Sequence, residues 1–234
     1  MINLPTSKIG DLEINLIQGP MGVGISGRNL SSAVANCGGA GMIAAVGLAG
    51  VRTPEKLKSK KRDYVRINQE ALREEIRGAR KMLSPDATGV IGVNVMFALS
   101  DFRPLLEIVA EEEVKLLTVG AGFDPELMGF VSPKTKVGIV ISYGRFARNV
   151  CEIYEKAGRL PDFFVGEGPK AGGHLGFGRW KLEDTNFVEG SLEQEIQRAK
   201  KEVEQFGDIP VFAGGGSSNG YDIRKAHSFG ADGV

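Results

Sequence analysis

Cysteine is nearly missing from this chain: Cys37 and Cys151 are the only two among 234 residues. A disulfide framework and an all-cysteine metal site are thereby excluded. Histidine is as scarce. His174 and His227 lie far apart and outside any H-E-x-x-H pattern, so no metal is expected. Net charge is missing too, with 29 basic against 29 acidic residues. That balance argues against a chain built to coat nucleic acid or an anionic membrane. No apolar run approaches the roughly 20 residues of a spanning helix. The N-terminus lacks the basic-then-apolar order of a secretory signal. The expectation is a soluble cytoplasmic protein with no nucleic-acid or membrane partner. At 42% hydrophobic and 25% charged, the composition suits a globular chain with a substantial core.

Glycine is what the chain has in excess: 33 residues, about twice the roughly 7% of an average protein. The glycines have no collagen period and gather at the ends of short apolar runs, in GPMGVG, CGGAG, VGAG, EGPKAGGHLG and FAGGGSSNG. Such clusters shape backbone to turn sharply or to approach something closely.

Short apolar runs alternate with helical patterns along the chain. The strand candidates are Ile14–Ile17, Met42–Val46, Val90–Met96, Val114–Val119, Val137–Ile141, Phe163–Val165 and Pro210–Ala213. The clearest helix is Ser191–Phe206, with Leu192, Ile196, Ala199, Val203 and Phe206 on one face. Ser191 and Gln194 form a candidate capping box, and Gly207 a stop. Gln69–Leu83 is a second helix, with Asn68 its expected cap. Leu30–Cys37, Arg103–Glu113, Phe146–Ala157 and Gly220–Phe229 are shorter candidates. Runs such as GVIGVNVM and KVGIVIS are apolar on both faces, as in parallel strands covered by helices.

This βα rhythm has two solutions, an open doubly wound sheet or a closed barrel. An eighth strand could start at Ala231–Val234, where the sequence stops; on an open sheet the same residues read as a frayed tail. In the barrel reading the closure at the C-terminus is missing. The basic run Arg52–Arg66 carries seven Lys/Arg against two acids and reads as a solvated loop. Glu111–Glu113 reads as solvated helix surface.

Candidate chemistry gathers at the C-terminal ends of the strand candidates, where βα folds place their sites. Gly214-Gly215-Gly216-Ser217 could cradle a phosphate on convergent N–H groups, aided by the positive end of the next helix. A plain strand-to-helix turn explains it as well. The glycines before Met42 lie at the opposite ends and are read as structural. His174, in AGGHLG, could accept a proton near neutral pH beside two glycines that admit a ligand. His227 falls on a helix away from this rim. Ser142 and Cys151 are read as ordinary strand-end and helix-face residues.

IQGPMG (17–22), GVNVM (92–96), EGPKAGGHLG (167–176) and IPVFAGGGSSNG (209–220) together resemble the nitronate monooxygenase family, formerly 2-nitropropane dioxygenases. Flavin-dependent enoyl-acyl-carrier-protein reductases belong to the same superfamily. The resemblance implies an FMN-binding (β/α)8 TIM barrel, with residues 1–234 a single domain ending in or after its eighth strand. It places Met21 and Asn94 near the flavin, Glu167 and Gly172 in its pocket, and Gly215 and Gly216 at its phosphate. His174 would be the catalytic base for a small nitroalkane or nitronate oxidised with molecular oxygen. The chain departs from the pattern twice. Glu167 stands where many monooxygenase members have Gln, and Lys170 where both branches commonly have an acid. An NAD(P)H-dependent reductase partnered by an acyl-carrier protein is therefore the alternative, and a noncatalytic flavin- or phosphate-binding protein a third reading.

Overall fold

The structure, a computed structural model, describes residues 7–59, 63–173 and 176–234. The chain divides into two compact units, Ile17–Thr135 and Met1–Leu16 with Lys136–Val234. It opens on an antiparallel hairpin, β1 (Ser7–Ile9) and β2 (Leu12–Ile14), whose register pairs Ile9 with Leu12. Gly10, at φ 62°, supplies the left-handed backbone that a two-residue hairpin turn requires. The expected strand Ile14–Ile17 is thereby divided. Ile14 ends β2, and Ile17 makes only an isolated parallel bridge to Ala40.

The unit Ile17–Thr135 holds α1 (Arg28–Asn36), β3 (Ala40–Ala44), α2 (Leu48–Arg52), α3 (Pro54–Ser59) and α4 (Tyr64–Lys81). Then follow β4 (Val90–Met96), α5 (Phe102–Glu111), β5 (Leu116–Gly120) and α6 (Leu127–Phe130). β4 pairs in parallel with β3 on one side and β5 on the other. All of β3 and β5 is buried, as is β4 except at its ends, which accounts for strands apolar on both faces. A side chain at Gly41 would collide with the Ser31 backbone in α1, so the glycines before Met42 serve close packing.

Three expectations fail in this unit, two because a polar group is buried and one because charged residues pair along helices. Asn68 is not a cap. It lies inside α4, where its Oδ1 accepts from Ala49 N–H (2.9 Å) and its Nδ2 donates to Asp101 (2.7 Å). The basic run is not a loop, since its described residues are largely helical and Arg52, Lys56 and Arg66 pair with Glu75, Glu70 and Asp63. Lys60, Lys61 and Arg62 lie outside the described residues. Glu112 is not solvated: it is buried among Arg73, Arg77 and Arg80, with Arg77 Nη2 at 2.8 Å.

The second unit adds β6 (Lys136–Ile141), α7 (Phe146–Lys156), β7 (Phe163–Glu167), α8 (Arg179–Leu182), α9 (Thr185–Val203), β8 (Val211–Gly214) and α10 (Gly220–Ser228) to the hairpin. β7 pairs in parallel with β6 and with β8. Ser191 does not cap a helix. α9 starts at Thr185 on the Asp184 side chain, which accepts from Asn186 and Phe187 N–H, and Ser191 is buried within it. Gly207, at φ 120°, follows the closing 3-10 turn.

The fold is thus α/β, with six parallel strands, β3 to β8, following in sequence order. Among the described residues no eight-stranded barrel closes. The first and eighth parallel positions are single bridges, Ile17 to Ala40 and Phe212 to Gly233. The last residues are not frayed. Asp232 accepts from Val211 N–H (2.8 Å) and pairs with Lys200, while Val234 N–H donates to Asn15 O (3.0 Å). Among the described residues no helix is long and apolar enough to cross a membrane.

Candidate functional site

In the unit Ile17–Thr135, the loop after Ile17 is fastened from within. Gln18 Nε2 donates to Ser26 Oγ (2.8 Å), and its Oε1 accepts from Met42 N–H (3.1 Å) in β3. Met21 and Ser26 exchange two hydrogen bonds of 2.9 Å each, Met21 N–H to Ser26 Oγ and Ser26 N–H to Met21 O. This closed loop leaves the Met21, Val23 and Ile25 side chains exposed, while Ser26 is fully buried.

Its far end is clamped by Glu75 from α4, only 1% exposed. One carboxylate oxygen accepts from Arg28 N–H (2.6 Å) at the start of α1, and the other pairs with Arg28 and Arg52, both at 2.9 Å. Arg52 also donates to Gly24 O (3.2 Å). A Cβ at Gly27 would fall 2.7 Å from the Glu75 oxygen, so glycine is needed for the clamp to form. Nothing in the sequence marks Glu75 except a charge on the apolar side of a helix pattern.

Asn94 lies in β4, in register with Ala44 and Thr118. It is buried, its Nδ2 donating to Thr118 Oγ1 (3.1 Å) and Thr118 O (3.2 Å). Its carboxamide oxygen has no partner among the described residues.

In the other unit, Glu167 ends β7 in register with Gly214 of β8. Burial pushes its carboxyl up from the ordinary glutamate value. The two turns beyond these strands begin side by side, as Gly168 N–H donates to Gly214 O (3.0 Å). Gly215 and Gly216 have φ of 95° and 82°, backbone that side chains rarely adopt. A Cβ at Gly215 would also stand 2.6 Å from that of Ala171, so the turns touch with no room for one. Gly172 is exposed, with open space where a side chain would stand.

His174 lies outside the described residues. The segment resumes at Gly176, whose N–H donates to Ser142 Oγ (3.2 Å) at the end of β6. Phe177 is buried edge-on against Tyr143 and Phe187. Ser142 thus anchors this loop, a role sequence reading missed because a lone serine gives no signal of its fold partner.

The remaining candidates belong to neither group. His227 Nδ1 sits 3.0 Å from Ala231 O and its Nε2 is buried. Burial pushes the Cys151 thiol up to about 12, which makes it a poor nucleophile. The structure therefore gathers Glu167, Gly215 and Gly216 within one unit, with Gly172 on the adjoining turn. Met21 and Asn94 belong to the other unit.

The sequence profile of nitronate monooxygenases matches residues 5–234. The chain belongs to the nitronate monooxygenase family. That family is one of FMN-dependent oxidoreductases, with FabK and nitroalkane oxidase among its structural relatives. FabK from Thermotoga maritima is 25% identical, with 97% of this chain and 58% of that one covered and a TM-score of 0.69. A single-substitution variant of it is 24% identical at a TM-score of 0.67, covering 97% and 61%. Nitroalkane oxidase from Streptomyces ansochromogenes is 22% identical at 0.64, covering 94% and 63%. The chain spans less than two thirds of the length of each of these three proteins. No curated protein sequence matches it significantly.

The FMN implied by the family can be tested against the glycine turn. Gly215 packs directly against Ala171, while both glycines present positive-φ backbone with no side chain in the way, an arrangement compatible with a phosphate on the side away from Ala171. In α10 the N–H groups of Tyr221 and Asp222 are held by the Asn219 side chain, and that of Ile223 by the Asn219 carbonyl.

Proposed function

We propose that this nitronate monooxygenase family member uses FMN to oxidise small alkyl nitronates or nitroalkanes with molecular oxygen. The observation that carries the reading is the family match across residues 5–234. We read the six parallel strands and two flanking bridges as the larger part of an FMN-binding (β/α)8 barrel. In this reading Gly215 and Gly216 hold the phosphate, Gly172 and Glu167 line the pocket, and Met21 and Asn94 border the ring. When bound, FMN supplies the electron transfer to oxygen.

His174 takes the α-proton of a neutral nitroalkane onto its imidazole, leaving the charge spread over the nitro oxygens. A nitronate arrives without that proton and asks less of the base. The Asn94 carboxamide, fixed by Thr118, gives the pocket an acceptor that does not turn away. A small substrate needs no carrier protein, and the pairing of Arg52, Lys56 and Arg66 with acids leaves less charge to attract one.

The NAD(P)H-dependent enoyl-thioester reductase is the second reading, favoured by the carboxylate of Glu167. One experiment separates them: oxygen uptake by wild type and His174→Ala, on a nitroalkane and on its nitronate, without pyridine nucleotide. We expect wild type to consume oxygen with both. The variant should slow on the neutral form by on the order of 10²–10⁴-fold and much less on the nitronate. No oxygen uptake with either, alongside NAD(P)H oxidation with crotonyl thioester, reverses the assignment.

A further inference from the structure

The turns after β7 and β8 bring together more than glycines. Gly168-Pro169-Lys170-Ala171 closes as a four-residue turn, with Ala171 N–H donating to Gly168 O (3.0 Å). Proline in its second position fixes the backbone angle such a turn needs. Because β7 and β8 run in register, this turn packs against the next one. Ala171 abuts Gly215, and Lys170 Cβ is 3.4 Å from where a Cβ of Gly216 would stand. The Lys170 side chain is exposed, and among the described residues it has no carboxylate partner.

The next turn and its helix carry groups of both signs, Asp222 and Lys225 of α10 among them. The N–H groups of Tyr221, Asp222 and Ile223 are used within the α10 cap, and Ser218 N–H donates to Asp222 Oδ2 (2.9 Å). That bond, with a smaller contribution from Lys225, holds the Asp222 carboxyl below its ordinary range, so a carboxylate caps the stretch that follows Gly216. A phosphate dianion there would have the Asp222 carboxylate nearby, and three of the first N–H groups of α10 are already engaged. It needs a cation. Lysine serves phosphate as a point charge on a flexible four-carbon stem, and Lys170 starts from the edge of the glycine turn.

We propose that Lys170 binds the terminal phosphate of FMN at the Gly215–Gly216 turn, an inference that rests on the FMN reading above. The test is titration of flavin-free protein, in its natural length, with FMN and with riboflavin, which lacks the phosphate. Quenching of flavin fluorescence is followed at low and high salt for wild type, Lys170→Ala and Lys170→Arg. Wild type should prefer FMN. Lys170→Ala should weaken FMN binding roughly five- to tenfold and flatten its salt dependence, leaving riboflavin untouched. Lys170→Arg should retain most of the preference. Wild-type FMN affinity in Lys170→Ala overturns the proposal while sparing the FMN reading. Equal loss for both flavins also overturns it, by showing that Lys170 acts on the fold. A wild type that does not distinguish FMN from riboflavin overturns the phosphate site itself, and the role of Lys170 with it.

Discussion

Glu167 shows how much one carboxyl can report at the residue scale. It ends β7 half-buried, and burial raises its proton affinity above the unfolded value near 4.5. Between the unfolded and folded values the native chain holds a proton that the unfolded chain has released. Stability contributed by the protonated form is therefore full below the unfolded value and is lost as pH rises through the folded one. Glu167→Gln should match wild type in acid and become the more stable of the two toward neutral pH. Thermal unfolding of both flavin-free proteins across pH 4–8 measures this, and a gap that stays constant with pH would contradict it. The residue scale is also where the sequence tells least. Glu112 reads as solvated helix surface and Asn68 as a cap, and Glu75 gives no clear signal, because burial and partners come from helices distant in the chain.

At the scale of elements, much was legible. Val90–Met96 forms a strand with the expected limits, and the other parallel runs from Met42 to Ala213 become strands shifted at their ends by a residue or two. Their signal is strong because both faces are buried, leaving an unbroken apolar run. Helix starts were harder to read. Thr185–Gly190 carries little apolar periodicity, so the start of α9 depends on the Asp184 cap, while Ser191 and Gln194 imitate a capping box inside it. The opening hairpin was missed because its strands are only three residues each around Gly10-Asp11. The clamp at Glu75 is the element-scale feature with the clearest energetic consequence, since it fastens α1 and α2 to α4. Glu75→Ala leaves two guanidinium groups and the Arg28 N–H without their acceptor. It should cost about 3 kcal/mol, the lower end for a broken buried ion pair because both arginines are partly exposed. Urea unfolding measures the cost. A loss below about 0.5 kcal/mol, the level of an exposed pair, would show that the clamp does not hold these helices.

For the whole molecule, the strand-end motifs carried the family assignment, and two physical properties limit what else they tell. The charge balance gives no net attraction for a polyanion, and the glycine turn lacks the G-x-G-x-x-G dinucleotide fingerprint. The glycine turn at Gly214–Gly216 was legible because it follows an apolar run. The occupied end of α10 was not, since Asn219 and Asp222 carry no sequence mark of the bonds they make. The account stands or falls on the flavin. The deciding measurement is the mass of the chromophore released by acid from the protein purified in its natural length. We predict FMN in roughly equimolar amount; a bound FAD, or a colourless protein that FMN cannot reconstitute, would contradict the account.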